Sequence, residues 1–135
     1  MAKFVLTNAF VSIAGTDLSD HVESVALNYE AEGQDATSMS DLTRIMLGGL
    51  KNWSIDVNFR QDFASSSVDD TLFSIVGTQV TVIVRPDAGS VSTTNPNFTG
   101  TALVQSYNPL GNSVGDVAAA PVTLMSAGTL SRATS

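Results

Sequence analysis

The residues with the most chemical potential in this 135-residue chain lie around its single histidine, His21. Ser19, Asp17 and Asp20 stand beside it in the sequence, so a serine–histidine–aspartate triad could be drawn within one short segment. A working triad needs a base that a group from elsewhere in the fold orients, and adjacent residues of an extended strand point apart. We therefore expect a surface turn with side chain–backbone hydrogen bonds here rather than a catalytic site.

Two other motifs allow a chemical interpretation, and each has a simpler structural one. Asp69 and Asp70 could serve metal or glycosidase chemistry, but they stand at the start of a predicted helix, where the dipole favours carboxylates. Gly48–Gly49 lacks the Lys and Ser or Thr that follow the glycine of a phosphate-binding loop, and it predicts a turn. The sequence has no cysteine, which excludes disulfides and thiolate metal sites. We expect no enzyme activity, no metal and no cofactor.

The composition favours one small domain whose surface is partly hidden by partners. No repeat or linker divides residues 1–135, and this length can bury one core. Hydrophobic residues make up 43% of the chain and charged residues 14%, which leaves few charges to cover a monomer's surface. The net charge of -7 and the scattered basic residues argue against a nucleic-acid-binding protein, because sequence-independent binding to phosphates needs clustered Lys and Arg. With no apolar run near about eighteen residues, we expect neither a signal peptide nor membrane insertion.

Alternation of apolar and polar residues is the dominant pattern, and it is clearest from Trp53 to Arg60. Similar alternation occurs from Val25 to Tyr29 and from Val80 to Val84. Further short strands are predicted at Phe4–Leu6, Val11–Ile13, Thr43–Leu47, Thr101–Tyr107 and Pro121–Met125. About eight short strands indicate a mainly β fold, an antiparallel β-sandwich or barrel.

One segment has a helical period, and two connections are long. Ser67 to Gly77 predicts a short flanking α-helix, in which Ser67 accepts a hydrogen bond from the amide of Asp70 and Gly77 supplies the left-handed stop. Long loops are expected near residues 31–41 and 87–99. Loops of this length carry function or are disordered, and the first could become ordered on meeting a neighbouring subunit.

The order of several motifs resembles the tail tube proteins of phages with long, non-contractile tails (siphoviruses), especially those of actinobacterial phages. The stretches that carry the resemblance are Val11–Val22, Leu47–Val57, Gln61–Phe63, Thr94–Pro96 and Ser113–Asp116. Together with their spacing they cover nearly the whole chain, although each is a loose pattern of turns and strand ends.

The resemblance implies the tail-tube fold and a structural virion protein, the major tail tube subunit. Six copies would close a ring around a lumen, and rings would stack into a hollow tube for DNA passage during ejection. The loop from about Glu30 to Asp41 would reach the adjacent ring, and the residues expected in this stacking contact are Glu32, Asp35, Met39 and Asp41. Possible lumen-facing residues are Asn28, Glu30 and Arg44.

The implied partners are other copies of the chain, a tape-measure protein, a tail terminator and tail tip proteins, with transient non-specific contact with phage DNA. The protein would be made in the host cytoplasm and reside in the virion. Two alternatives stay open: a tail terminator or other ring-forming tail component, and a virion-displayed adhesive β-sandwich. An adhesin would be expected to expose aromatic residues on its loops, and Phe98 is the one aromatic near the margin of these loops.

Overall fold

The structure is a computed structural model that describes residues 3–135. Its strands are β1 (Phe10–Ile13), β2 (Thr16–Asp17), β3 (Val22–Asp35), β4 (Met46–Arg60), β5 (Gln79–Arg85), β6 (Asn97–Tyr107), β7 (Ala119–Ser126) and β8 (Ser131–Ala133), and its one α-helix is α1 (Val68–Leu72). Short 3-10 turns occupy Ser19–His21 and Phe73–Ile75. The strands form one antiparallel sheet in the order β2-β1-β5-β6-β7-β4-β3, and β8 also pairs with β6. No helix among residues 3–135 is long and apolar enough to cross a membrane.

The core follows from the alternation of the sequence. In β4, Trp53, Ile55, Val57 and Phe59 are buried while the residues between them are more exposed. Buried side chains of β1, β5 and β6 belong to the same cluster as those of β4 and β7, so the sheet curves around one core that α1 also covers. The burial of each large aliphatic or aromatic side chain stabilises the folded state by roughly 1.5–3 kcal/mol. The predicted mainly β, antiparallel fold class with one short helix is confirmed.

The predicted helix is present, but it is shorter than the segment from Ser67 to Gly77 whose apolar spacing predicted it. The α-helix ends at Leu72, and the amide of Gly77 donates to the carbonyl of Val104 at 2.8 Å, so the backbone has by then joined the sheet. Gly77 has a φ of 85°, as the predicted left-handed stop requires. The predicted cap at Ser67 is wrong, because no side-chain capping bond forms there. Instead the carboxylate of Asp70 accepts from the amide of Ser66 at 2.9 Å.

Several predicted boundaries are wrong, chiefly around one long hairpin. β3 continues to Asp35 and β4 begins at Met46, so the connection spans residues 36–45 instead of 31–41. Gly48–Gly49, predicted as a turn, lies inside β4, where Gly48 pairs with Gly33. The strand predicted at Thr43–Leu47 begins only at Met46. Paired backbone in this hairpin therefore replaces the loop, strand and turn that the sequence indicated.

Two further differences lie at other strand ends. Phe4–Leu6 forms no strand, since regular pairing begins at Phe10 opposite Arg85. The second long connection spans residues 86–96, because β6 already begins at Asn97. The side chain of Asn95 organises this connection. Its Oδ1 accepts a hydrogen bond from the backbone amide of Asp87 at 3.0 Å, and its Nδ2 donates to the Asp87 carbonyl at 3.0 Å.

Candidate assembly surface

The hairpin of β3 and β4 extends far beyond the rest of the sheet. β4 pairs with β7 only from Ser54 to Arg60, whereas its pairing with β3 continues to the pair of Asp35 and Met46. Every residue from Asn28 to Asn52 is exposed. Residues 30–52, here called the arm, thus form a two-stranded ribbon with solvent on both faces. Such a ribbon is only marginally stable alone in water, so the arm is the part of the chain that most needs a partner.

Trp53 marks the point where the arm leaves the body of the protein. Its side chain is 2% exposed, and its indole N–H donates to the carbonyl of Gly128 at 2.8 Å. A Cβ atom at position 100 would lie 2.6 Å from Cζ2 of Trp53, so only glycine fits on β6 beneath the ring. The ring occupies this position next to the last pair between β4 and β7, Ser54 with Met125. A large buried aromatic side chain therefore fixes the base of the arm.

Hydrogen bonds within the tip order the connection of residues 36–45. The amide of Ala36 donates to the carbonyl of Ile45 at 2.8 Å, and the amide of Ile45 donates to Oγ1 of Thr37 at 2.9 Å. Asp35 accepts from the amide of Thr37 at 3.0 Å and pairs with Arg44. The hydrogen bonds from Thr37, and then that from Arg44, lower the pKa of the Asp35 carboxyl. The tip is thus a defined shape that a partner could recognise.

Large apolar side chains of the arm face water. Met39 and Leu42 at the tip are 97% and 101% exposed. The other exposed apolar side chains of the arm are Ile45, Met46, Leu47 and Leu50. Six large exposed apolar side chains on one element are more than scattered single ones, and such a concentration is typical of interaction sites in soluble proteins.

The four residues predicted for stacking contacts all lie on the arm, in different situations. Met39 points into solvent, and the carboxylate of Glu32 receives only a 3.4 Å hydrogen bond from Gln34. Asp35 and Asp41 help to fold the tip, since Asp41 accepts from the amide of Ser38 at 2.8 Å. All four residues thus lie on one exposed hairpin, and two of the carboxylates have a structural role in the tip. Their part in a stacking contact stays a prediction.

The residues predicted to face a lumen are divided between two places. Asn28 and Glu30 alternate with half-buried Leu27 on β3 and lie opposite Ser54 and Asn52 on β4. They belong to a polar face of the sheet that Asp56 continues. Arg44 is separate from this face, because it lies in the tip and pairs with Asp35. Arg44 therefore does not lie on a strand, as the prediction of a strand at Thr43–Leu47 had it, and its position relative to a lumen stays a prediction.

The triad considered around His21 does not form. Ser19 donates its hydroxyl to Asp17, whose carboxylate also accepts from the amide of Ser19 at 2.9 Å, which is the expected turn. His21 instead lies between two carboxylates: Nδ1 is 2.9 Å from Asp20 and Nε2 is 2.9 Å from Asp62. Within residues 3–135, no group of three or more His, Cys, Asp or Glu side chains could hold a metal ion.

A serine from another part of the chain completes a cluster that the sequence did not indicate. Oγ of Ser67 is 3.5 Å from Nε2 of His21 but donates to Asp62 at 2.8 Å, and Ser67 is 8% exposed. Burial disfavours the charged imidazole, but the hydrogen bonds with Asp20 and Asp62 outweigh it and raise the pKa of His21. Hydrogen bonds from the amide of Ala64, from Ser67 and from His21 lower the pKa of Asp62. The cluster joins the 3-10 turn before β3 to the segment before α1.

Neither a protein-family model nor a curated protein matches the sequence. Solved structures do match. A chain of the virion of a native gene transfer agent particle is 21% identical, with a TM-score of 0.70 over 93% of this chain and 95% of that one. A chain from the tail of an empty gene transfer agent particle, computed with C6 symmetry, is 21% identical, with a TM-score of 0.65 over 92% of each chain. The SPP1 tail tube chain is 10% identical, with a TM-score of 0.72 over 95% of this chain and 77% of that one. The chain has the fold that these proteins share.

Proposed function

We propose that the protein is the major subunit of a phage tail tube of the long, non-contractile type. Six copies form a ring, and rings stack into a hollow tube that encloses a tape-measure protein during assembly and later passes DNA. A terminator and tail tip proteins would bind its two ends, and the assembled protein would reside in the virion. The observation that carries the proposal is the arm: it exposes paired backbone and apolar side chains on a fold shared with the SPP1 tail tube and with a tail of C6 symmetry.

Ring formation has a physical basis in the sheet. β3 is the end strand of the sheet order, so the backbone groups on one edge of its fourteen residues have no strand partner within residues 3–135. A long free edge is an aggregation hazard unless another chain pairs with it or covers it. Repeating the same contact around an axis closes a ring and removes the edges. In such a ring, each copy of this chain would supply partners for the unpaired backbone groups on the β3 edge of its neighbour.

The lumen is proposed to be lined by the polar face that includes Asn28 and Glu30. A net charge of -7 per subunit repels phosphate groups, so DNA would contact the wall only transiently and non-specifically. The tube would then function through its shape and charge, with no catalytic step.

The arm can be removed without touching the core, which gives a direct test. Glu30 pairs with Asn52, so a two-residue Asn-Gly turn can replace residues 31–51 and close a short hairpin. We expect this variant to fold with near-normal thermal stability, because every removed residue is exposed. In sedimentation and negative-stain electron microscopy it should fail to form the long tubes that the full chain forms.

The matched control shortens an exposed connection outside the arm, by replacing residues 113–116 with Gly-Gly. Circular dichroism would establish that both variants are folded. Long tubes from the control alone are the expected result. Normal tubes from the variant without an arm would refute the role of the arm in stacking.

A further inference from the structure

Residues 3–9, here called the strap, lie outside the sheet although their residue types favour strands. The carbonyl of Asn8 accepts a hydrogen bond from the amide of Ala88 at 2.9 Å, which holds the end of the strap that leads into β1. Before that point, the large apolar side chains of the strap are exposed, and they are Phe4, Val5 and Leu6. The strap is therefore an apolar segment that is fixed at one end and has no place in the core.

The strap runs along the free edge of β3. Residues 6–9 and residues 22–25 line the same cavity of about 260 Å³. Further along, Phe4 and Leu6 line a groove together with Leu27. Positions fall along the strap as they rise along β3, which indicates that the two segments run antiparallel. They form no ladder, because β3 pairs with β4 alone among residues 3–135.

The strap lies beside the stretch of β3 that another chain could pair with most readily. The register of β3 with β4 is continuous from Ser24 to Ala31. It is irregular on either side, between Val22 and Ser24 and between Ala31 and Gly33. Bulges twist an edge and discourage pairing, so they protect the ends of β3 but not the regular stretch between them. The strap covers part of that stretch, as a loop laid over an edge does in other β proteins.

A strand from a neighbouring copy needs the space that the strap occupies. Paired strands lie about 4.8 Å apart. A second chain at that distance from Val25 and Leu27 would collide with Phe4 and Leu6, which line one groove with them. The strap must therefore move away before the edge is paired. Its release breaks no strand ladder and exposes little new apolar surface, so the cover is a weak one.

We propose that the strap is a removable cover of the β3 edge, which restrains a single subunit from pairing with its copies. Only subunits whose strap has left the edge are competent to pair, so the apparent affinity between copies is reduced by the uncovered fraction. This inference rests on the proposed function, because it concerns how the edge that would close the ring is kept unpaired before assembly.

Two variants that weaken the cover test this inference. One lacks residues 3–7, all of which are exposed, and the other carries Phe4→Ser and Leu6→Ser. If the edge is uncovered in about one molecule in ten, both variants should assemble at an about tenfold lower critical concentration than the native chain. Val5→Ser is the matched control, because Val5 instead lines a cavity with Thr94, and it should assemble at the native concentration. Pelleting over a concentration series would measure assembly.

A reversible lock gives the opposite test and leaves the strap in place. The chain has no natural cysteine, so Leu6→Cys and Val25→Cys can be bridged within one subunit by a short bismaleimide whose linker is cleaved by reduction. Mass spectrometry of the monomer would establish the bridge. We expect bridged subunits to stay unassembled and reduction to restore assembly. Both half-linkers remain attached after reduction, so the reduced protein is its own control. Bridged subunits that assemble as readily as reduced ones would overturn the inference.

The outcomes separate this inference from the proposed function. Native tubes, with an unchanged critical concentration in both weakened variants, would overturn the cover and leave the tube intact. A higher critical concentration in folded variants would make the strap a contact between copies and would also overturn the cover. If the native chain forms no tubes, sedimentation velocity should still show more self-association of the weakened variants, which would support the cover and contradict the tube. Equal self-association in that case would overturn both.

Discussion

At the residue scale, the close contact between Trp53 and Gly100 determines how the arm joins the body. The indole ring covers the Gly100 backbone, and its N–H satisfies the carbonyl of Gly128. We expect Gly100→Ala to destabilise the folded chain by about 1–3 kcal/mol, because the new methyl group must displace a buried ring. The free energy of unfolding in urea would measure this effect.

Gly48→Ala is the matched control for that substitution. Gly48 also lies in a strand, but a Cβ atom there meets nothing within 4 Å. Its effect should stay within about 1 kcal/mol and could be stabilising, since alanine restricts the unfolded chain more than glycine does. Equal stability of Gly100→Ala and the native chain would show that the ring does not hold the position described.

The cluster around His21 predicts a pH dependence of stability. The raised pKa of His21 gives a contribution that is complete below its unfolded value of about 6.5 and is lost as the pH rises through the folded value. The lowered pKa of Asp62 gives a contribution that is present above about 3.9 and is lost as the pH falls through the folded value. Both contributions are therefore present together between about pH 4 and pH 6.5.

We accordingly expect His21→Gln to lower the melting temperature more at pH 5.5 than at pH 8.5. Thermal unfolding of the variant and the native chain at both pH values would measure the difference. Ser19→Ala is a suitable control, because Ser19 stands in the same turn without contacting His21. A decrease that is the same at both pH values would mean that the ion pairs of His21 do not contribute as described.

At the scale of elements, the sequence predicts those strands whose two faces meet different surroundings. The alternation from Trp53 to Arg60 exists because one face of β4 lies in the core. The arm has solvent on both faces, so burial imposes no period there, and Gly33, Gly48 and Gly49 add a turn-like composition. For this reason the sequence predicts a loop, a short strand and a turn where the structure has one paired ribbon.

Other elements show the same limit on sequence reasoning. The apolar spacing of the Ser67–Gly77 segment predicts a helix. The length of that helix depends on the hydrogen bond from the amide of Gly77 to the carbonyl of Val104, a residue distant in the chain. Asp62 and Ser67 join His21 through the fold, so no local motif could reveal that cluster. The residues predicted for stacking lie on the arm because the resemblance indicated that segment, whereas the structural roles of Asp35 and Asp41 depend on how the tip folds.

At the scale of the whole molecule, we expect the acidic residues of the proposed lumen wall to prevent DNA from binding to the tube. Assembled tubes of a Glu30→Lys/Asp56→Lys variant should retain a short linear duplex in about 50 mM salt and release it near 200 mM, because added lysines contact phosphates. Native tubes should retain none under either condition. Co-sedimentation of labelled DNA with the tubes would measure retention.

Circular DNA of the same sequence provides the control for that experiment, because a closed circle has no end to enter a lumen. Retention of the linear duplex alone would support an inward position of Glu30 and Asp56. Equal retention of linear and circular DNA would place these residues on the outer wall.

The proposed function requires that this chain polymerises with itself into a hollow, stacked tube. The most direct measurement is negative-stain electron microscopy of the purified native protein over a concentration series, with sedimentation velocity on the same samples. We expect hollow tubes that lengthen with concentration, and six subunits around the axis in end-on averages. A single ring that never stacks, or a monomer at every concentration, would contradict the claim.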